Sequence, residues 1–285
     1  MTTVARSADR APVARALFIN SGILGHRAVA GLFRDTLELI HGVEATHIDL
    51  SRDLTLGDRL IRRFLSLPLA PRVGLVGNLD LRRWREELNV GLLAARRIAA
   101  AERSRSFDVL HFHTQAAAYA SVTRMKRTPS IVSIDATQQL ASREAQSELA
   151  RLTYGPNIAH DGFVFKHAAA ITATSEWAAR DMRAHYACGD RVHVMPYPIR
   201  AVADPAWLGQ RAARPGQPVR ALFIGGDFPR KGGPELLEAW RASAFGARAT
   251  LDLVTDWPVS AKDLPFGVRL VRDVAPYTPE WLDAW

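Results

Sequence analysis

Short apolar runs with β-branched or aromatic residues punctuate the first two hundred positions, and longer segments with helical spacing lie between most of them. Ala16-Leu-Phe-Ile-Asn20 predicts a strand that leaves through the turn Ser21-Gly22-Ile-Leu-Gly25-His26. Val29, Leu32, Phe33, Leu37 and Ile40 then fall on one face at helical spacing. Val43–Leu50 predicts a second strand, and an Ala/Leu-rich helix follows over Glu86–Arg103. Further strands are expected at Val109–His113, Ser130–Asp135, Ala170–Ser175 and Arg191–Pro196. This alternation is βαβ rhythm and predicts a parallel, doubly wound sheet.

A stretch rich in Pro, Ala, Arg and Gly covers 199–218 and reads as a linker. Beyond it the pattern restarts with strands at Val219–Ile224, Ala249–Thr255 and Val268–Val271 and a helix at Pro234–Trp240. The expected organisation is therefore a first Rossmann-like domain over 1–198, a linker over 199–218, and a second domain over 219–285. Pro279–Trp285 reads as a helix cut in its first turns, and three strands are few for a doubly wound sheet. The second domain is accordingly expected to be incomplete.

Composition narrows the class. The chain has 285 residues, 48% hydrophobic and 23% charged, with a single cysteine, Cys188. No internal disulfide is possible, no apolar run approaches the length of a membrane span, and the first fifteen residues lack a secretion signal. A cytoplasmic protein fits these features. Net charge is +8, and between Asp58 and Arg105 eleven arginines face five acidic residues. Phe64, Trp84 and several leucines are interleaved there. Two readings stand for segment 58–105: an anionic membrane surface at the inner face of the cell membrane, or a solvated helix face. Nucleic acid is not expected, since no binding motif accompanies the charge.

In parallel sheets ligands bind beyond the carboxyl ends of the strands, so the turns there carry the candidate chemistry. The Gly22–Gly25 loop is either a backbone cradle or a plain tight turn. In Leu110-His-Phe-His-Thr, alternation sends His111 and His113 to one face, and His113 lies nearer the strand end. His113 is thus either a cleft residue or a hydrogen-bonded structural histidine. Asp135 either holds a sugar hydroxyl and assists proton transfer, or serves as a turn or cap residue. Ser175 reads chiefly as a helix cap. Phe223-Ile-Gly225-Gly226-Asp-Phe-Pro-Arg230-Lys231-Gly-Gly sets two cations among glycines at a strand–helix junction. That arrangement suits a diphosphate leaving group, with a solvated basic turn as the alternative. No metal site is expected, because no Cys or carboxylate stands at ligand spacing around the histidines.

Taken together, Ala168–Arg180, Arg191–Ile199 and Phe223–Gly233 resemble the family-4 retaining glycosyltransferases of the GT-B fold, and Asp108–His113 and the Gly22/Gly25 loop fit in order. The resemblance spans the chain from about Ala16 and implies an α/β fold with two Rossmann-like doubly wound domains. It implies transfer of a hexosyl group from a UDP- or GDP-linked sugar to a hydroxyl of a glycan or lipid-linked acceptor, as in surface polysaccharide or glycolipid synthesis. Retention of configuration is implied, with no metal and no cofactor beyond the donor itself. Lys231 with Arg230 and the Gly225/Gly226 turn would hold the donor diphosphate, the Gly22/Gly25 loop would approach the same phosphates, and His113 and Asp135 would face the acceptor. Three departures stand out. Gly226 occupies the place of a family arginine, Asp135 that of a histidine in many members, and the family's paired glutamates would fall beyond Trp285. Two other readings remain at this level: a GT-B sugar-nucleotide epimerase, and a non-catalytic acceptor- or membrane-binding module. A nicotinamide dehydrogenase is disfavoured, since no Gly-x-Gly-x-x-Gly follows the first strand.

Overall fold

The computed structural model describes residues 13–22, 26–69, 79, 81–145, 147–198, 218–243 and 245–272. Gly25, all but the last residue of the expected linker over 199–218, and the expected terminal helix at Pro279–Trp285 lie outside them. The chain divides into two compact units, Met1–Arg200 and Ala201–Trp285.

The first unit is built on six parallel strands: β1 (Ala14–Asn20), β2 (Val43–Asp49), β3 (Val109–His113), β4 (Ser130–Ile134), β5 (Ala170–Ala173) and β6 (Val192–Val194). Their order is β2-β1-β3-β4-β5-β6, and every pairing is parallel. The alternation read from the sequence sorts the two faces. Leu17 and Ile19 of β1 align with Leu110 and Phe112 of β3 and join Val132, Ile134 and Ile171 in one fully buried cluster. Each such side chain contributes about 1.5–3 kcal/mol by leaving water. Helix α3 (Arg82–Glu102) adds Leu93, Ala94 and Ile98 to this cluster, and α7 (Gly155–His167) and α8 (Glu176–His185) add Val164, Phe165 and Met182.

On the opposite face Phe18 packs against His47 and His111, and Phe33 of α1 (His26–Leu37) caps His111 edge-on. Helix α1 stops at Leu37, before Ile40, because Leu39 and Ile40 turn back to Thr36 and Leu37 towards Gly42, whose φ is +88°. Helix α2 (Leu56–Leu65) opens with a reciprocal cap between Thr55 and Asp58. Short helices α4 (Val122–Met125), α5 (Gln138–Arg143) and α6 (Glu148–Leu152) complete the unit. Ser175 caps α8 by accepting the Ala178 N–H, as expected of its position.

The second unit has three parallel strands in the order β7 (Val219–Ile224), β8 (Ala249–Val254) and β9 (Val268–Val271). Helix α9 (Gly233–Ala242) lays Leu237 and Trp240 against Leu251, Leu253 and Phe228. Gly233 lets the helix start lie against Phe228, where a Cβ would stand 2.1 Å from two ring carbons.

Candidate functional site

The strand order of the first unit reverses between β1 and β3, and that switch point is where an open parallel sheet offers its crevice. The two strand ends are tied by the Ser21 N–H to the His113 carbonyl, 2.7 Å. A cavity of about 450 Å³ opens above them. Ser21 and His26 line it from the β1 side, Thr114 and Gln115 from the β3 side, and Asp135, Thr137 and Gln138 from the β4 side. Arg83, Glu86 and Glu87 of α3 close it. A neighbouring cavity of about 550 Å³ shares Ser21, Glu86 and Val90 and extends past Gly22 and Arg27 to Asp58 and Arg62 of α2.

His26 sits at the first position of α1, held between two partners. Ser21 Oγ lies 3.0 Å from its Nδ1, and Asp135 Oδ2 lies 3.6 Å from its Nε2. Asp135 also accepts its neighbour Ala136's N–H at 2.8 Å. Burial would raise the Asp135 carboxyl, but the His26 contact and the backbone N–H groups outweigh it and hold the pKa below the ordinary carboxylate value. The pair therefore presents an ionised carboxylate beside an imidazole at the cavity wall. Because Ser21 and Asp135 face its two nitrogens, the imidazole can take a proton from a bound hydroxyl once that hydroxyl displaces one of them.

His113 is placed differently from the cleft reading. It is fully buried, its ring lies 4.8 Å from that of His26, and its Nε2 meets the Tyr197 hydroxyl at 2.9 Å. Burial, with the nearby His26 and His111, pushes its pKa down to about 3, so it stays neutral. It supports the His26 ring from beneath. His111 is likewise structural: its Nε2 meets Ser133 Oγ at 2.7 Å and burial pushes its pKa down to about 4.

Glu87 and Gln138 of the cavity wall lead inward to a largely buried polar cluster that sequence patterning did not single out. Glu87 accepts from Asn157 Nδ2 at 2.6 Å, Gln138 Nε2 at 2.7 Å and the Tyr119 hydroxyl at 2.9 Å. Asp161, fully buried, lies 2.9 Å from the same hydroxyl and accepts the Gln138 N–H at 3.0 Å. One phenol proton cannot serve two carboxylates, so one of the acids carries a proton of its own. Burial pushes Asp161 up to about 8, which puts that proton there. The cluster fixes Gln138 and Tyr119, and with them the start of α5 at the cavity rim.

Gly22 adopts φ +67°, and a Cβ on it would collide with Asp49 and Ser51, so the loop lies directly on the end of β2. Arg27 Nε donates to its carbonyl at 2.8 Å.

In the second unit, Gly225 donates its N–H to Val254 at 3.0 Å, and the turn Asp227–Gly232 carries exposed Arg230 and Lys231. Arg230 Nε is engaged by Asp227 Oδ2 at 3.0 Å. Gly226 is exposed, with open space where a Cβ would stand.

Of the residues the sequence singled out, Asp135 and Gly22 border the two cavities, His113 lies under them, and Gly225, Gly226, Arg230 and Lys231 form the β7–α9 turn. His26 was missed, although it ends the very turn that the strand-end rule selects. Among the described residues no three metal-ligating side chains cluster, and no helix is long and apolar enough to cross a membrane.

Residues 31–198, more than half of the chain, match the glycosyl transferase 4-like domain family. The sequence matches no curated protein. Among solved structures, the chain is similar to a UDP-glucosyltransferase from Polygonum tinctorium capable of glucosylating indoxyl, in complex with 3,4-dichloroaniline. Identity there is 16%, coverage 93% of this chain and 72% of that one, and TM-score 0.56. UGT2 of Phytolacca americana, complexed with UDP-2fluoro-glucose and pterostilbene, gives 14% identity, the same coverage and TM-score 0.54. UGT89C1 of Arabidopsis thaliana, complexed with UDP-L-rhamnose, gives 10%, 93% and 70%, and 0.50. At these identities the likeness is one of fold, a Rossmann-like glycosyltransferase fold of the GT-B kind.

Proposed function

Because this chain belongs to the glycosyl transferase 4-like family, we propose that it moves a hexosyl group from a UDP- or GDP-linked sugar to a hydroxyl of a glycan or lipid-linked acceptor. The observation that carries the reading is the switch-point cavity inside the family-matched unit, walled by His26, Asp135, Gln115 and Gln138. Such a constellation of hydrogen-bonding groups suits a polyhydroxylated acceptor. In the transfer, the bond between the sugar's anomeric carbon and the diphosphate oxygen breaks, and a bond from that carbon to the acceptor oxygen forms. The diphosphate leaves with the electron pair. Lys231 and Arg230, with the Gly225/Gly226 turn, are the groups proposed to neutralise it, and the Gly22/Gly25 loop to approach its phosphates. Arg230 would exchange Asp227 for a phosphate oxygen on binding.

Retention is the outcome that the family-4 resemblance supports. The acceptor then attacks on the face of the leaving diphosphate, whose oxygen takes the acceptor proton, and no protein base is required. The contact of His26 with Asp135 favours a second reading, in which His26 takes that proton and the configuration inverts. Proton NMR of the first-formed product distinguishes them. A retained anomer with His26→Ala within a few-fold of wild type supports the first; an inverted anomer, with turnover down about 10²–10⁴-fold in His26→Ala, supports the second. Absence of transfer from every UDP- and GDP-sugar, with glycan and lipid extracts as acceptors, contradicts the function itself.

A further inference from the structure

We propose that α2 is a docking element that seats the protein on an anionic lipid bilayer. The helix is turned inside out. Its one buried residue is Asp58, which receives Arg96 at 2.9 Å and Arg97 at 3.7 Å from α3. Arg85 of α3 donates to the carbonyls of Leu65 and Leu67, 2.8 Å each. The contacts that fasten α2 to the unit are thus largely polar. Its apolar row faces water: Leu56, Leu60 and Phe64, spaced i, i+4, i+8, are 75%, 59% and 70% exposed. A helix on a globular protein ordinarily turns that stripe to the core, and a contiguous apolar row left outside marks an interaction surface.

The occupant follows from what borders the row. Arg59 and Arg63 stand three residues after Leu56 and Leu60, on the flank of the stripe, whereas Arg62 lies further round the helix, towards Asp58. All three are exposed, and the helix's only acid points inward. A second copy of this face would oppose arginines to arginines. An anionic bilayer matches both parts, with phosphates at the depth of the guanidinium groups and acyl chains beneath them. Further along the basic segment, α3 turns Leu93, Ala94 and Ile98 into the protein core. Arg62 instead lines the cavity that runs to Ser21 and Gly22, on the side of α2 away from the apolar row.

Co-sedimentation of the chain with phosphatidylglycerol/phosphatidylcholine vesicles, against phosphatidylcholine alone, tests this without donor or acceptor, so its failure leaves the transfer reading standing and the reverse also holds. Binding is expected only with phosphatidylglycerol, weakening as salt rises. Arg59→Gln with Arg63→Gln should lower it about 25-fold, about fivefold per arginine. Leu60→Glu with Phe64→Glu should lower it by more than about tenfold, with thermal unfolding unchanged because both sites are exposed. Should that variant fold poorly, Phe64→Cys carrying an environment-sensitive dye serves instead, since Cys188 is buried; its emission should shift to the blue on phosphatidylglycerol vesicles. No binding by the wild type, equal binding to both vesicles, equal binding by either double variant, or an unshifted dye overturns the proposal. So does a vesicle-free dimer abolished by the glutamates, which assigns the face to a second copy.

Discussion

Replacing Asp161 by Asn should flatten the dependence of stability on pH between about 5 and 8. In the folded protein this carboxyl is fully buried and burial pushes its pKa up to about 8, whereas an unfolded aspartate titrates near the ordinary 3.8. Across that window the folded state holds a proton that the unfolded state has released. Stability is therefore greatest at low pH, falls as pH rises from about 4, and levels off above about 8. The slope reaches at most about 1.4 kcal/mol per pH unit, so the change from pH 5 to 8 is of the order of 4 kcal/mol at its upper bound. Asparagine is isosteric with the protonated acid. Its oxygen can accept the Gln138 N–H, 3.0 Å from Asp161 Oδ2, and its amide can face the Tyr119 hydroxyl, 2.9 Å from Oδ1. The variant should match wild type only below about pH 4 and exceed it by a margin that widens from pH 5 to pH 8. Urea unfolding of both proteins at pH 5, 6.5 and 8 reads the difference, in which the contributions of all other groups cancel. Parallel curves for the two proteins would refute the assignment of the shared proton to Asp161.

Gly91→Ala should destabilise the first unit, because a Cβ there would stand 2.9 Å from Tyr119 Cβ and 3.0 Å from the Ala120 nitrogen. Overpacking of this kind costs about 1–3 kcal/mol, read calorimetrically as a Tm lower by about 3–10 °C; an unchanged Tm would show that α3 does not approach that closely. Lys231→Ala should lower transfer by about two to three orders of magnitude through loss of one charge-assisted contact to the leaving diphosphate. Turnover within a few-fold of wild type would return Lys231 to a solvated turn.

The strands of both units were legible because their apolar residues pair across the sheet in register, as Leu17 with Leu110 and Ile19 with Phe112 do. The all-parallel pairing follows from the same rhythm, while the GT-B architecture was what the family resemblance implied. The site was legible only in part. Asp135 ends a strand, and position alone selects it. His113 stayed open between a cleft residue and a structural histidine because alternation fixes its face but not what covers it; Tyr197, 84 residues away, supplies the cover. Glu87 lies among arginines and reads as a solvated charge, while its partners Tyr119, Gln138 and Asn157 come from distant segments. Asp161 had a local signal, an acid set among the apolar residues of α7. The arginine-rich stretch read as a single surface, but long-range packing divides it into a core helix and an outward-facing one.

The central claim, that this chain transfers sugar at the switch-point cavity, is tested most directly by acceptor-dependent release of nucleoside diphosphate from a panel of UDP- and GDP-sugars. Wild type is compared with Gln115→Ala, whose side chain lines the cavity and is anchored to the Ala136 carbonyl at 3.1 Å. The account predicts that at least one donor releases its diphosphate faster when a glycan or lipid extract is added, and that Gln115→Ala raises the acceptor concentration needed for half-maximal release while leaving the acceptor-free rate unchanged. Release that ignores the acceptor, or an acceptor dependence identical in the two proteins, would contradict it.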